Sequence, residues 1–133
     1  MSEPRRATNP YQARDELRGL LLVAAVAGVP DQPPVVAVDA GPVGAGSLSD
    51  GAARSSVSRI RVEIGDPADA DPADRLAAVR RHLVSEGWSV VRSADGGHTL
   101  ELVAVRAGYT IAVSRRRSER RLVLTGETPP LPT

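Results

Sequence analysis

The feature that most constrains the fold is an alternation of apolar and polar residues that restarts several times between Trp88 and Gly126. Four stretches, "WSVVRS", "TLELVAVR", "YTIAVSR" and "RLVLTG", follow a period of two, which is typical of strands with one solvated face. Turn signals separate them: Asp95-Gly96 suits a tight hairpin, and Ala107-Gly108 and an arginine-rich turn follow. Because short connections join antiparallel neighbours, the sequence predicts a four-stranded antiparallel meander.

An earlier stretch, "SVSRIRVEIG", repeats this period. Its apolar side carries Ser58, Ile60, Val62 and Ile64, and the residues between them are Arg59, Arg61 and Glu63. We therefore predict a fifth strand with one wet face.

Two segments carry helix signals. Asn9 can cap a helix that has Pro10 at its first position, and Gly28 followed by Pro30 supplies a stop. Apolar residues recur at steps of three and four between these signals, which predicts a helix from Pro10 to about Ala27.

The second helix signal lies in "DPADADPADRLAAVRRHLVSEGW". Asp71 caps it, Pro72 takes its first position, and Gly87 ends it. Its apolar stripe consists of Leu76, Val79 and Leu83, and Trp88 is placed to cover the helix end and the sheet.

These elements predict one α+β domain over residues 10–127, with an antiparallel sheet and the helices on one face. Residues 1–9 are expected to be a flexible N-terminus. The segment 29–55 is rich in Pro and Gly, so we expect mostly loop there, although "VVAV" could add a short strand. The tail 128–133 is expected to lie over an edge of the sheet or to fray.

Composition excludes several function classes. The chain has no Cys, so it can form no disulfide, thiolate zinc site or cysteine nucleophile. Every basic residue is Arg, which excludes lysine chemistry such as Schiff bases and P-loop lysines. With 17 basic and 16 acidic residues the formal charge is +1, so a site for a polyanion would have to be local.

The longest apolar run, Gly19 to Pro30, covers about half of the roughly 20 residues that cross a bilayer. We therefore expect no membrane span and a cytoplasmic protein. The alternative is secretion, with this run as the core of a signal peptide, because arginines precede it and "VDA" is similar to a cleavage site. Asp15 and Glu16 count against that alternative because they lie where a signal peptide is basic.

The C-terminal half, from about residue 55 to residue 131, resembles a recurrent small domain of uncharacterised actinobacterial proteins, often lipoproteins or secreted proteins. The pattern of that family is a helix ending in Gly-Trp, then a Gly-Tyr strand, then Thr-Pro-Cys. The matching positions here are Gly87-Trp88, Gly108-Tyr109 and Thr128-Pro129. The resemblance implies no activity. Pro130 stands where the family has Cys, and the sequence contains no lipobox Cys, so we expect neither the family's disulfide nor its lipid anchor here.

The stretch "SRRRSERRLVL" allows two interpretations. Clustered guanidinium groups suit phosphate oxygens, which would make it an anion or nucleic-acid site. The alternative is a hairpin end kept soluble by charge, which the scarcity of aromatic stacking residues favours. The candidate residues for partner or anion binding are Arg115, Arg116, Arg117, Arg120, Arg121, Arg59 and Arg61.

Other candidate sites are weaker. The acidic residues Asp66, Asp69, Asp71 and Asp74 lack the spacing of a calcium loop, and Asp-Pro turns with a helix start explain them. His82 and His98 could serve in acid–base chemistry only if the sheet edge folds over the second helix. The glycines of residues 40–52 imitate a nucleotide loop without its strand-to-helix context.

We therefore expect no catalytic residues, no metal and no cofactor. The leading hypothesis is a non-catalytic interaction or accessory module that presents a sheet edge, a sheet face or the Pro10 helix to a protein partner or a second copy. The helix is apolar nearly all round from Leu20 to Val26, so something must cover it. The alternative is binding of nucleic acid or another anion through the hairpin at residues 115–121.

Overall fold

The computed structural model describes residues 9–45, 55–66 and 71–132. Its elements, in chain order, are α1 (Pro10–Gly28), β1 (Pro34–Ala45), β2 (Ser55–Gly65), α2 (Pro72–Ser85), β3 (Ser89–Asp95), β4 (Thr99–Arg106), β5 (Tyr109–Arg116), β6 (Arg121–Glu127) and β7 (Leu131–Pro132). The strands form one antiparallel sheet in the order β1-β2-β6-β5-β4-β3, with β7 beside β2. The predicted α+β fold, with its meander from β3 to β6, is confirmed.

Local capping fixes where the helices begin. The Asn9 side chain accepts a hydrogen bond from the Gln12 amide at 2.8 Å, and the Asp71 side chain accepts one from the Ala73 amide at 3.0 Å. Each bond satisfies an amide that has no partner within its helix, and each helix has a proline in its first turn, as predicted.

The end of α2 is closed by Gly87 and Trp88. Gly87 has a φ of 89°, which an L side chain rarely adopts, and this turns the chain so that the Trp88 amide donates to the Leu83 carbonyl at 2.9 Å. The Trp88 side chain is only 4% exposed, and the Arg106 guanidinium lies 5.2 Å from the centre of its ring. Trp88, which follows α2, therefore also contacts Arg106 at the end of β4.

The core lies between the two helices and one face of the sheet, with α1 over β2 and β6 and α2 over β4. Leu17 and Leu21 of α1 approach β6 so closely that a Cβ at Gly126 would lie 2.6 Å from Leu17 Cδ1. The largest fully buried side chains are Leu17, Leu21, Ile60, Val62, Ile64, Val79, Leu83, Leu102, Ile111, Val113, Leu122 and Leu124.

The sheet and α2 cover one side of α1. The residues that α1 buries are Pro10, Ala13, Leu17, Leu21, Ala24, Ala25 and Gly28. Its outer side leaves Tyr11, Val23 and Val26 exposed, at 65%, 56% and 38%. Most of the helix that needed a cover is therefore covered by its own domain.

The segment predicted to be mostly loop contains the longest strand of the sheet. β1 spans Pro34–Ala45 and pairs with β2, with irregularities between Val36 and Val38 and between Ala40 and Val43. Its prolines are compatible with a strand because β1 lies at the edge, where an amide facing outward needs no partner strand. This corrects the sequence interpretation, which counted those prolines and glycines as breakers.

The C-terminal tail, which was predicted to lie over an edge or to fray, forms hydrogen bonds with β2. Thr128 is buried, its amide donates to the Ser58 carbonyl at 3.0 Å, and its hydroxyl accepts from the Ser58 amide at 2.9 Å. Beyond it, β7 pairs with Ser55 and Ser56 at the start of β2. The tail therefore extends the sheet beside β2 instead of lying over an edge.

Candidate interaction surfaces

The first arginine of the hairpin points into the protein. Arg115 is 4% exposed, and its Nε lies 3.3 Å from Oδ2 of Asp66, which is fully buried. The other oxygen of that carboxylate, Oδ1, is 3.0 Å from Nε of Arg75 on α2. Asp66 thus holds two guanidinium groups in a triad that is buried except for the Arg75 side chain, which is 19% exposed. Arg115 does not belong to the exposed surface of the hairpin.

The triad connects separate parts of the chain. Arg115 Nη1 also donates to the carbonyls of Arg116 and Glu119 in the β5–β6 turn. The Asp66 amide donates to the Arg120 carbonyl at 2.9 Å, which fastens the end of β2 to the same turn. Since buried charges are tolerated when they are paired and hydrogen-bonded, this arrangement explains Arg115 as a structural residue.

The exposed candidate arginines are balanced by nearby acids. Nitrogen–oxygen distances are 3.5 Å for Arg116–Glu119, 3.0 Å for Arg117–Asp95, 2.9 Å for Arg121–Glu63, 2.9 Å for Arg59–Glu127 and 3.4 Å for Arg61–Glu63. Arg120 also has an interaction partner. Local neutralisation reduces the attraction for a polyanion that unpaired arginines would exert.

The candidate arginines also do not form one patch. Arg59 lies opposite Glu127 at the last residue of β6, whereas Arg121 is its first residue. Six residues of extended strand span about 20 Å, so Arg59 lies far from the hairpin tip. The structure brings Arg116 and Arg121 close to the same acid, Glu119, and leaves Arg59 apart.

Asp95 ends β3 beside the hairpin tip. Its carboxylate accepts a hydrogen bond from the Gly97 amide at 3.0 Å and another from Arg117 Nη2 at 3.0 Å. Both favour the charged form, the amide most strongly, so the pKa of Asp95 is lowered from its ordinary value. The β3–β4 turn and the β5–β6 turn are thus tied together at the surface.

The sheet face opposite the helices, here called the open face, combines aliphatic side chains with charge pairs. Cross-strand partners share a face, so the register places Val38, Arg61, Thr125, Ala112 and Val103 in one row across β1, β2, β6, β5 and β4. The aliphatic members of the open face are Val35, Val38, Val43, Val57, Ala112, Val123, Val103 and Val105. The three from β1 are exposed by 59%, 48% and 50%.

On the helix side, a groove of about 290 Å³ separates α2 from the edge strand β3; it is called the α2–β3 groove. Its residues are Ala73, Leu76, Ala77 and Arg80 of α2, Ser93, Ala94 and Asp95 of β3, and Leu100 and Leu102 of β4. The groove was missed from the sequence. The sequence of β3 does carry a signal for the groove. Ser93 and Asp95 lie opposite Leu102 and Leu100, which face the core. On β3, small or polar side chains therefore occupy inward-facing positions where a core strand has large apolar ones.

The remaining candidates are dispersed. Asp66 belongs to the buried triad and Asp71 caps α2, while Asp69 and residues 46–52 of the glycine-rich stretch lie outside the described residues. His82 is in the last turn of α2. His98 follows β3, whose last residue, Asp95, lines the α2–β3 groove together with Ala73 of the first turn of α2. Nine residues of helix separate Ala73 from His82, which is about 13 Å along the axis, so the two histidines do not form a pair.

Tyr109, from the Gly-Tyr pattern, connects the sheet to α1. Its hydroxyl donates to Glu16 Oε2 at 3.1 Å, and its side chain is 5% exposed. Burial, and next the neighbouring Glu16 charge, raise the pKa of the phenol far above its ordinary value. Tyr109 is therefore a neutral hydrogen-bond donor near neutral pH and fixes the first half of α1.

Within residues 9–45, 55–66 and 71–132, no three His, Asp or Glu side chains come together in a way that could hold a metal ion. Neither of the described helices is long and apolar enough to cross a membrane.

Comparison with known proteins identifies a shared fold. No protein-family model matches the chain, and no curated protein sequence matches it. Among solved structures, that of "the putative lipoprotein LppA from Mycobacterium tuberculosis" is similar, with a TM-score of 0.56 and 15% identity. The match covers 93% of this chain and 78% of that one. The protein thus shares its fold with that mycobacterial protein.

Proposed function

We propose that the protein is a non-catalytic accessory domain that binds another protein through its open face. The observation that carries this proposal is the group of aliphatic side chains on the open face, which no described helix covers. Val38, Ala112 and Val103 of this group share one row with the polar residues Arg61 and Thr125. Uncovered apolar surface with a polar rim is typical of protein-binding sites.

The charges of the open face are consistent with this use. Arg59 pairs with Glu127, and Arg61 and Arg121 both approach Glu63. These ions already neutralise one another. A partner can therefore cover the aliphatic side chains of the open face without leaving an isolated charge buried.

The anion-binding alternative has less support. Arg115 is buried, and the exposed arginines Arg116, Arg117 and Arg121 have acidic partners within 3.5 Å. A phosphate would have to displace those carboxylates before it could use the guanidinium groups.

A cytoplasmic location belongs to the same proposal. The run from Gly19 to Pro30 that could form the core of a signal peptide lies largely within α1, and Leu21, Ala24, Ala25 and Val29 of that run are buried in the core. Cleavage after this run would remove part of the core, so the place of the run in the folded domain supports the cytoplasmic location over secretion.

Photo-crosslinking tests the proposed function. A benzophenone amino acid at Ala112, on the open face, is expected to capture a host protein or a second copy of this chain in extract from the native host. The same group at the exposed Arg18 of α1 is the matched control and should capture neither. Excess unlabelled wild-type protein should compete for the captured partner. The Val103→Glu variant, which places a charge among the aliphatic side chains of the open face, should compete poorly. Equal capture from both positions, or undiminished competition by Val103→Glu, would refute the proposal.

A further inference from the structure

The α2–β3 groove has the shape and lining of a site for one or two side chains. Its floor is formed by Leu76, Leu100 and Leu102, which are 8%, 5% and 2% exposed. Its volume of about 290 Å³ lies just below the roughly 300–1,000 Å³ typical of small-molecule pockets. An open groove of that size with an aliphatic floor suits an aliphatic side chain.

The rim of the α2–β3 groove carries one charged side chain of each sign, Arg80 and Asp95, and of the two only Asp95 is paired among the described residues. Asp95 is already held by Arg117 and by the Gly97 amide. Arg80, on the α2 side, forms no ion pair with any residue that the structure describes. The available charge at the groove is therefore positive, and the complementary group is a carboxylate.

The groove adjoins a strand edge with open hydrogen-bonding positions. Within the described sheet β3 pairs with β4 alone, so its outer backbone edge has no partner strand. The opposite edge strand, β1, contains Pro34 and Pro42 and two irregularities, which obstruct pairing. β3 contains no proline and has its single irregularity between Val90 and Arg92, away from the groove-lining residues Ser93 to Asp95.

From these three features we infer that the α2–β3 groove binds an extended peptide segment of a partner protein, aligned along β3. One aliphatic side chain of the segment enters the groove over Leu100 and Leu102, and a neighbouring carboxylate pairs with Arg80. Addition of a strand at a free edge supplies backbone hydrogen bonds, and pockets for alternate side chains supply specificity. The carboxylate belongs either to an Asp or Glu side chain or to the C-terminus of the segment.

This site is distinct from the one under the proposed function. The α2–β3 groove lies on the helix side of the sheet, and the open face lies on the other side, so each can be altered without the other.

The test begins with displayed nonapeptide libraries, one with free C-termini and one with the random segment held internally. Each is selected against the full chain and counter-selected against Ala77→Trp, which fills the groove. We expect enriched peptides to share an aliphatic residue close to an acidic residue or to the C-terminal carboxylate. Enrichment in both libraries identifies a side-chain carboxylate as sufficient, and enrichment with free C-termini alone identifies the terminal carboxylate.

The affinity of the best enriched peptide, labelled with fluorescein, is then measured by fluorescence anisotropy. Arg80→Glu is expected to weaken binding by about tenfold or more, because a charge-assisted hydrogen bond is replaced by repulsion. The matched control is Arg81→Glu, which reverses a neighbouring exposed charge outside the groove lining and should change the affinity little. If the carboxylate is a side chain, changing that acidic residue of the peptide to Arg should restore binding to the Arg80→Glu variant. If it is the C-terminus, amidation of the peptide should weaken binding to the wild-type protein about as much as Arg80→Glu does.

Circular dichroism and thermal unfolding establish that each variant is folded. The proposal is overturned if no peptide is enriched over the Ala77→Trp variant, or if Arg80→Glu and Arg81→Glu weaken binding equally. Ala112→Lys, on the open face, should leave peptide binding unchanged, so loss of the open-face partner and loss of the groove peptide are separate results.

Discussion

Arg115 and Arg117 lie two residues apart at the same hairpin, and each contacts an aspartate. The contact distances are similar, 3.3 Å from Arg115 to Asp66 and 3.0 Å from Arg117 to Asp95. The surroundings differ: the side chains of the first pair are 4% and 0% exposed, and those of the second are 39% and 55% exposed. Proximity alone therefore does not give the energetic role of an arginine.

The difference follows from what happens when one partner is lost. In water, an unpaired carboxylate or guanidinium group is solvated, so an exposed pair contributes little. Inside the protein, the remaining ion has no water to replace its partner, so breaking a buried pair is costly even where the intact pair is only weakly favourable. The arginine cluster thus contains a structural residue and several surface residues.

The largest expected effect is that of Asp66→Asn. The amide keeps the shape of the carboxylate but leaves Arg75 and Arg115 without a counter-charge. We expect a loss of about 3–5 kcal/mol in the free energy of unfolding, measured by urea denaturation. The matched control is Asp74→Asn on the exposed surface of α2, where a much smaller change is expected. A loss below about 1 kcal/mol for Asp66→Asn would show that the triad is not structural.

A double-mutant cycle should reveal coupling within the buried pair. Arg115→Met removes the guanidinium group and keeps a shorter, uncharged apolar chain. Combined with Asp66→Asn, it should cost less than the sum of the two single changes by about 1–3 kcal/mol, because the double variant no longer leaves Arg115 without a partner. Additive single changes would contradict direct coupling.

Arg117→Ala is expected to leave the urea midpoint unchanged within error in 0.1 M and in 1 M NaCl. Its effect should instead be seen in the titration of Asp95 followed by NMR. The pKa of Asp95 should rise towards its ordinary value but remain below it, since the Gly97 amide is the larger cause of the lowering and stays in place.

The pH dependence of this exposed contact has a definite sign. Because folding lowers the pKa of Asp95, the associated stabilisation is present above the unfolded-state value of about 3.9 and is lost as the pH falls through the folded-state value. A pKa that returns fully to its ordinary value in Arg117→Ala would show that the Gly97 hydrogen bond contributes nothing.

The smallest expected effect concerns nucleic acid. Gel retardation of a 30-nucleotide single strand at low salt should show at most weak binding, because Arg116, Arg117 and Arg121 of the hairpin are paired with carboxylates. Arg116→Ser combined with Arg117→Ser should therefore change retardation little. Tight, salt-dependent retardation that the double variant abolishes would restore the anion-binding interpretation.

Much of the fold could be predicted from local patterns. The caps at Asn9 and Asp71 and the turn at Gly87 each depend on residues that are close in the sequence, so they could be predicted from it. β1 was not, because its prolines and glycines are tolerated only by virtue of its edge position, which depends on the pairing of distant strands.

The candidate site shows the same division. The alternation that places Tyr109, Ile111 and Val113 on the inner face also places Arg115 there, so its inward direction could have been derived. Its partner could not, because Asp66 is 49 residues away and reaches Arg115 only once β2 and β6 have paired. The α2–β3 groove could not be predicted either, because it depends on the distance at which α2 packs from β3, and no local sequence pattern sets that distance.

By itself, the sequence determined the two helices, the alternating strands from β2 to β6 and the placement of charge at the hairpin, since these depend on caps, turns and a period of two. The tertiary structure decided which acid pairs with the inward-facing Arg115, which strand edge is open and which sheet face stays uncovered. Those outcomes depend on long-range pairing, because burial converts the same ion contact from a marginal surface interaction into one whose loss is costly.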